Sequence, residues 1–335
     1  MPLDRPLLTI AIPTYNRSEC LAELLEVLTP QLAGESRVEL IVSDNASPDD
    51  TPGVIASFRE KGLALNYNRN EINIGADGNF IRCYELARGE YVWIFGDDDI
   101  ILPGGLREVL NCLEKREHDL VYVQATRFQG KYQSSDQPEF SGRIRTFTPR
   151  DFALFTFTNL TFISANISRK AALESLPDPG YDKLAGTSLA QLSWTFELLR
   201  RNAKCACLLD RIVANRTGNG FDVGTCDVFG TTFKQIVEAY FGSESQVGSA
   251  LLNRTIQCFF PWSLLQSRRL RNSKHSPEDA ATILEGLYQN NPRYWFFVYP
   301  VLRLPIPLAR VWLIAGKVLN RLDQIIGYPI ANGMA

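Results

Sequence analysis

Histidine is scarce in this chain, with His118 and His275 the only two in 335 residues. That excludes a histidine-rich metal centre and leaves little room for a triad that needs an imidazole beside a nucleophile. Seven cysteines are scattered, and the nearest pair, Cys205 and Cys207, lacks the CxxC spacing of a structural zinc site or a redox couple. There is no GxGxxG and no Walker lysine, so neither a dinucleotide fingerprint nor a P-loop is supported. A net charge of −2 argues against a general nucleic-acid binder, which needs a basic surface. No repeats, low-complexity tracts or Gly/Pro/Ser-rich linker divide the chain. The opening MPLDRPLLTIAIP lacks the basic start and long apolar core of a signal peptide, so reduced thiols in the cytoplasm are the expectation. At 45% hydrophobic and 21% charged residues, the composition suits a globular protein with one large or two fused cores.

What is present centres on Tyr91-Val92-Trp93-Ile94-Phe95-Gly96-Asp97-Asp98-Asp99. Five apolar residues read as a buried parallel strand, and the glycine lets the chain turn. Three carboxylates then arrive together, and like charges so close raise one another's pKa unless something positive sits among them. A hard divalent cation, Mg2+ or Mn2+, answers that need, since it takes oxygen ligands and often shares them with a diphosphate. The plainer alternative is a solvated acidic turn.

Upstream, Leu7–Ile12 is a short apolar run ended by Pro13, and Ser18 stands where it can cap a helix carrying Leu21, Leu24, Leu25 and Leu28. Val38–Ser43 reads as a second strand delivering Asp44, Asn45 and Ser47. Residues 63–67 read as a third strand, followed by Arg69, Asn73 and Gly75, and a helix over about 78–87 leads into the strand at Tyr91. Strands alternating with helices predict a doubly wound, mostly parallel α/β sheet with crossovers on both faces. Thr14, Tyr15, Asp44, Asn73 and the Asp97 cluster then line one crevice at the strand ends, where open α/β sheets bind ligands. Taken singly, Asp44 and Ser47 can equally be a helix cap, and Asn73-Ile74-Gly75 an ordinary turn.

The series Ile12-Pro13-Thr14-Tyr15-Asn16-Arg17, Ser43-Asp44-Asn45-Ala46-Ser47-Pro48-Asp49, Asn73-Ile74-Gly75 and Gly96-Asp97-Asp98-Asp99 resembles the family 2 glycosyltransferases of the GT-A fold. Within that group it is most similar to abequosyltransferase- and rhamnosyltransferase-like enzymes of bacterial O-antigen (lipopolysaccharide) and other surface polysaccharide synthesis. The resemblance covers roughly residues 5 to 215. It implies a GT-A domain over 1–215, with a nucleotide-sugar half at 1–105 and an acceptor half at 106–215, and a helical region over 216–335. It also implies that Pro13, Thr14, Tyr15 and Asp44 hold the base and ribose, with Asn45, Asn73 and Gly75 beside them. In the DxD motif, Asp97 and Asp99 become the metal ligands and Asp98 the ambiguous middle member. The implied partners are a nucleoside-diphosphate sugar and a saccharide acceptor linked to undecaprenyl diphosphate, at the inner face of the cell membrane.

Moving a glycosyl group off a nucleoside diphosphate builds negative charge on the leaving phosphate, which a divalent metal stabilises. Arg17 or Arg69 can add a cationic contact, or be merely solvated. Inversion in one displacement needs a base near the acceptor hydroxyl. No acidic dipeptide stands between Val121 and Cys207, where many family 2 enzymes carry one. Asp182, in a loop before a helical Leu189–Glu197 segment, is the candidate base, with Glu197 in reserve; both also read as plain surface acids. Trp194 is a candidate sugar platform or a core residue. The loop Arg216–Gly220 either closes over the acceptor or merely connects. Arg268, Arg269, Arg271 and Lys274 form a basic cluster. Residues 295–318 have the length of a spanning helix but are broken by Pro300, Pro305 and Pro307, so an interfacial anchor fits better. Val311, Trp312, Ile314, Ala315, Val318 and Leu319 would face an anionic membrane, with Arg310, Lys317 and Arg321 towards the rim; packing on its own domain or on a second subunit is the alternative. Two further readings stand beside transfer: a nucleotide-sugar-binding or scaffold protein with little turnover, which the missing dipeptide favours, and a nucleotidyltransferase, which the Pro13–Asn16 turn does not supply with a phosphate loop.

Overall fold

Seven consecutive buried residues make β1 (Leu8–Thr14) fit only the middle of a sheet. In the computed structural model it does pair on both sides in parallel, with β2 (Val38–Asp44) and β4 (Tyr91–Ile94), and β2 pairs in parallel with β3 (Asn66–Arg69). The structure describes residues 5–133, 138–176, 178–217, 226–270 and 277–327. The sheet continues through β5 (Ile100–Ile101), β6 (Leu120–Phe128), β7 (Ile144–Phe147), β8 (Asn166–Arg169) and β9 (Cys205–Arg216). Its order is β3-β2-β1-β4-β8-β6-β9-β5, with β7 also on β9. Helices α1 (Ser18–Leu32), α2 (Thr51–Glu60), α3 (Gly75–Leu86), α4 (Gly105–Leu113), α5 (Pro149–Thr156), α6 (Lys170–Glu174) and α7 (Leu192–Arg200) connect the strands.

The first four strands follow the expected parallel pattern. Beyond them the sheet is mixed, because β8 runs antiparallel to both β4 and β6. Two local expectations shift for identifiable reasons. The third strand starts at Asn66 rather than at 63, because Leu63 turns its N–H back to the carbonyl of Phe58 after Gly62 at φ +90°, closing the end of α2. The segment 161–167 is extended only from Asn166: the Asn166 amide donates to the carbonyls of Phe162 (2.7 Å) and Leu160 (3.2 Å), holding 3₁₀ turns ahead of the strand. Ser18 is the first residue of α1 instead of its side-chain cap, and its N–H donates to Asp49 Oδ2 at 2.8 Å.

Two compact units divide the chain: residues 1–152 with 159–220, and residues 153–158 with 221–335. The second unit is helical, with α8 (Phe233–Phe241), α9 (Gln246–Arg254), α10 (Phe260–Leu270), α11 (Pro277–Tyr288), α12 (Tyr299–Arg303) and α13 (Ile306–Gly327). Its core gathers Ile256, Phe260, Leu284, Tyr294, Val298 and Val301. Along α13, Leu308, Val311, Ile314 and Val318 are all more than half exposed and recur at helical spacing. Trp312 is half-buried instead, and its Nε1 donates to the Phe296 carbonyl. Among the described residues no helix is long and apolar enough to cross a membrane. Gly218–Gly220 of the expected loop, and Arg271 and Lys274 of the basic cluster, lie outside the described residues.

Candidate active site

Parallel pairing in register sets Thr14 opposite Asp44 and Asp44 opposite Arg69, all at the C-terminal ends of their strands. The Phe95 N–H donates to the carbonyl of Ala11, which carries β4 on toward Asp97 beside the end of β1. Thr14, Asp44, Arg69 and Asp97 thus belong to one edge because each directly follows or ends a neighbouring strand. The left-handed backbone of Asn16 (φ +54°) and Ala46 (φ +61°) turns the two loops after β1 and β2. A hydrogen bond from Asn16 N–H to Ser47 Oγ, 3.0 Å, ties those loops together.

Asp44 is fully buried. Its Oδ1 accepts from the Ser47 N–H at 2.8 Å, and its Oδ2 accepts from the Tyr67 hydroxyl at 2.6 Å and lies 3.2 Å from Arg69 Nη1. Burial and the bond to Asp44 push the Tyr67 hydroxyl up to about 12, so it stays a donor. Arg69 also donates to the Ser47 carbonyl. Asn45 acts as a clamp: its amide donates to Asn73 Oδ1 (2.8 Å) and the Gly75 carbonyl, while its Oδ1 accepts from Asn70 Nδ2 and the Ile74 N–H. Asn73 in turn accepts from the Gly75 N–H. Asn45 and Asn73 therefore shape the loop, with their polar atoms turned to one another. Tyr15 stands 44% exposed, an aromatic ring free to stack.

The three acids after β4 separate into different environments. Asp97, buried, accepts from Thr14 Oγ1 at 2.7 Å and from Arg17 Nη1 at 3.1 Å. The same Arg17 nitrogen lies 3.1 Å from Asp98 Oδ2, so one guanidinium bridges both carboxylates. Burial raises Asp97 to about 6, with Arg17 and Thr14 pulling against it. Burial opposes the charge on Arg17 too, but Asp97 and Asp98 outweigh it and hold the guanidinium above its ordinary value.

Asp99 points elsewhere. Its Oδ2 accepts from Ser164 Oγ, and its Oδ1 accepts from Asn215 Nδ2 (2.9 Å) and the Arg216 N–H (3.1 Å). Burial also lifts Asp99 to about 6, against the Ser164 hydrogen bond. Both oxygens of Asp99, the residue expected as a metal ligand, tie the acidic turn to β9 and to the segment before β8 in this structure. Arg216 continues the brace, donating to the Asp98 carbonyl and pairing with the mostly buried Glu23 at 3.0 Å. Tyr67, Ser164, Asn215 and Glu23 escape sequence reading, since each arrives from a distant segment; only the position of Tyr67 near a strand end hinted at it. Arg216, expected to open a loop over the acceptor or a plain connector, is the last residue of β9.

Two other expectations are corrected. Trp194 is 4% exposed and stacks on Tyr84 with ring centroids 4.3 Å apart, which makes it core. Glu197 is buried and accepts from Arg200 (2.8 Å) and Arg201 (2.6 Å); burial alone would raise its pKa, but those two partners hold it below the usual range. An acid so engaged is a structural ion pair, not a free base. Asp182 is exposed, in a turn that reaches α3 through Ser188 N–H donating to Asp77 Oδ2 at 2.8 Å.

The donor set suits a hard cation in part. Among the described residues no three His, Cys, Asp or Glu side chains are grouped to hold a metal. Asp97 and Asp98 converge on one cationic nitrogen, and two carboxylates completed by phosphate oxygens and water are what Mg2+ or Mn2+ commonly accepts.

With that geometry in view, the comparisons with known proteins are decisive for the family. The model described as "Glycosyl transferase family 2" matches residues 9–176. The chain belongs to this family. It is 34% identical over 154 residues to abequosyltransferase RfbV of Salmonella typhimurium, covering 46% of this chain and 44% of that protein. It is 27% identical over 183 residues to a Campylobacter jejuni GalNAc(5)-diNAcBac-PP-undecaprenol beta-1,3-glucosyltransferase, covering 51% and 54%. The match thus spans about half the length of these relatives. Among solved structures, residues 1–349 of Staphylococcus aureus TarS with UDP-GlcNAc superpose with a TM-score of 0.58 at 18% identity, covering 96% and 92% of the two chains. The mannosyltransferase PcManGT from Pyrobaculum calidifontis, in complex with GDP-Man and Mn2+, gives 0.52 at 17% identity, covering 96% and 89%. These likenesses establish the GT-A fold.

Because Asp99 accepts three hydrogen bonds, Asp99→Asn turns an amide N–H toward a donor and should cost about 1–3 kcal/mol of stability. Urea unfolding measures this; wild-type stability would mean that the carboxylate is not a brace.

Proposed function

We propose that this protein transfers a hexosyl or deoxyhexosyl group from a nucleoside-diphosphate sugar to a saccharide acceptor, with inversion at the anomeric carbon. The observation that carries it is the single Arg17 nitrogen bridging Asp97 and Asp98, on the same strand-end edge as the Asp44–Tyr67–Arg69 cluster. In this reading Tyr15 stacks on the base, while Pro13 and Thr14 shape the turn beneath it. Asp44, fully buried while Arg69 lies against it, accepts from the ribose or base once Arg69 turns to the diphosphate, and Tyr67 and the Ser47 N–H hold it in place. Asp97 and Asp98 hold a divalent metal. That ion, when bound, neutralises charge on the departing diphosphate. Arg17, released from the two carboxylates, and Arg69 offer guanidinium donors that match phosphate oxygens.

Asp182 is the base in this proposal. It is exposed, it sits on the turn tied to α3 through Asp77, and its oxygens can take the acceptor hydroxyl proton as that oxygen attacks. The acceptor is an undecaprenyl-diphosphate-linked saccharide in O-antigen or related surface-polysaccharide synthesis. The relative from C. jejuni, named for such an acceptor, supports that choice. The exposed apolar face of α13 supports a peripheral position on the inner face of the membrane. A second reading, a donor-binding protein with little turnover, is favoured by Glu197, whose carboxylate is tied to two arginines.

Titration calorimetry with uridine, thymidine, cytidine and guanosine diphosphate sugars, with and without Mn2+, tests the donor site. Asp98→Asn should weaken Mn2+-dependent nucleotide binding at least about tenfold, roughly 1.4 kcal/mol. Protonation removes the charge that draws the cation, so the same affinity should fall as pH drops through about 6, the value for Asp97. Full affinity in the variant, or none lost on acidification, would remove the metal assignment. Asp182→Asn should slow transfer by about 10²-fold or more while donor affinity holds; an unchanged rate would clear Asp182, and no transfer by the wild type to any lipid-linked saccharide would favour the second reading. Ile314→Asp should abolish co-sedimentation with vesicles containing anionic lipid. A concentration-dependent dimer that ignores vesicles would instead assign the face to a second copy.

A further inference from the structure

Asp98 is met by two guanidiniums, one on its carboxylate and one on its backbone. Arg17 Nη1 lies 3.1 Å from Asp98 Oδ2, while Arg216 Nε donates to the Asp98 carbonyl at 3.0 Å. The two differ in how they are held. The Arg17 side chain is 31% exposed. That of Arg216 is 8% exposed, and its other nitrogens are engaged: Nη2 pairs with Glu23 Oε2 at 3.0 Å and Nη1 donates to the Gly130 carbonyl. The guanidinium also lies 4.7 Å from the centre of the Phe128 ring. Glu23 is fixed in turn, because its Oε1 accepts from the Tyr132 N–H. Arg216 therefore joins α1, the end of β6 and the acidic turn, and burial among them leaves it little room to swing away.

The acidic turn is wound tightly beside these contacts. The Asp99 N–H donates to the Gly96 carbonyl at 3.3 Å, and a Cβ on Gly96 would come within 3.2–3.3 Å of Asp99 Oδ2, Ser164 Oγ and Asp98 Oδ1. Arg216 grips two consecutive residues of that turn, since its backbone N–H donates to Asp99 Oδ1 at 3.1 Å and its Nε to the Asp98 carbonyl. With its carbonyl held and the next residue clamped, Asp98 keeps one backbone conformation, and its side-chain torsions decide where the carboxylate points. A buried ion pair is weak grounds for stability, because an apolar pair of similar volume commonly serves as well. What Glu23 and Arg216 supply instead is geometry: a planar fork reaches three acceptors from three segments at once, which the single ammonium of a lysine does not match.

We propose that Arg216, held by Glu23, is a positioning residue for the donor site: it fixes the Asp98 peptide so that the Asp98 carboxylate stands beside Asp97 when Arg17 turns to the diphosphate. This rests on the metal role proposed above for Asp97 and Asp98, and needs neither the acceptor nor Asp182. Arg17 is then the guanidinium that moves and Arg216 the one that stays. Removing a partner that orients a ligating carboxylate commonly changes metal affinity by about 10–100-fold, although that partner never touches the ion.

The test is calorimetric titration of the full chain with uridine, thymidine, cytidine and guanosine diphosphates, each with and without Mn2+, alongside urea unfolding. Arg216→Lys keeps a charge opposite Glu23 and should stay folded. It should weaken Mn2+-dependent binding of the preferred nucleotide about tenfold or more, while metal-free affinity holds. Should it not fold, the double variant Glu23→Met with Arg216→Met, which leaves no unpaired buried charge, decides the matter by the same two affinities. Full Mn2+-dependent affinity in a folded variant would make Arg216 a structural partner only and overturn the proposal. So would an equal loss with and without the metal, the mark of a generally disturbed crevice. The metal reading fails separately: a wild type whose nucleotide affinity ignores Mn2+ removes it, and this inference with it, before any variant is compared.

Discussion

The Arg17 guanidinium between Asp97 and Asp98 is the interaction on which the proposed site depends. Two carboxylates brought together at the end of a buried strand repel one another, and the fold tolerates them because one nitrogen stands 3.1 Å from both. Arg17 comes from the loop after β1, so neutralising the acids also fixes that loop against the end of β4. Thr14 adds a second bond from the same loop to Asp97. A bridge of this kind is a resident counter-cation; in the proposed reaction a metal with its diphosphate would supply the charge that lets the arginine turn to phosphate oxygens.

Around that bridge the crevice is already assembled. Asp44 receives a backbone N–H, a phenol and a guanidinium, so its oxygens have fixed directions before any ligand arrives. The asparagines at positions 45, 70, 73 and 79 satisfy one another and nearby backbone, which fixes the loop leading into α3. Apart from the two arginines, these polar groups are arranged in advance and need not reorganise on binding, the condition under which electrostatic stabilisation is most effective. Asp99 serves the same end from the opposite side, anchoring the acidic turn to β9.

The helical unit follows a different logic. Its core is closed by large aromatic and aliphatic side chains, yet α13 leaves apolar residues outward. They are not needed for the packing of that core. An outward stripe suits an interface.

Much of the first half was readable in the chain itself. Leu7–Ile12, Val38–Ser43 and Tyr91–Phe95 are apolar runs that can only be buried strands, and the acids and amides after them had to emerge at one edge once the crossovers were right-handed. Local chemistry therefore determined the parallel half of the sheet, the crevice and the presence of an acidic turn. What each acid does was decided only by tertiary contact. Asp97, Asp98 and Asp99 are adjacent and identical in composition, yet Thr14 and Arg17 claim the first two while Ser164 and Asn215, dozens of residues away, claim the third. Trp194 and Glu197 looked the same as surface or core until Tyr84, Arg200 and Arg201 were placed against them. Periodicity and hydropathy act over a few residues and so are written into the sequence; the direction of a side chain depends on partners that only the folded chain brings within 3 Å or so.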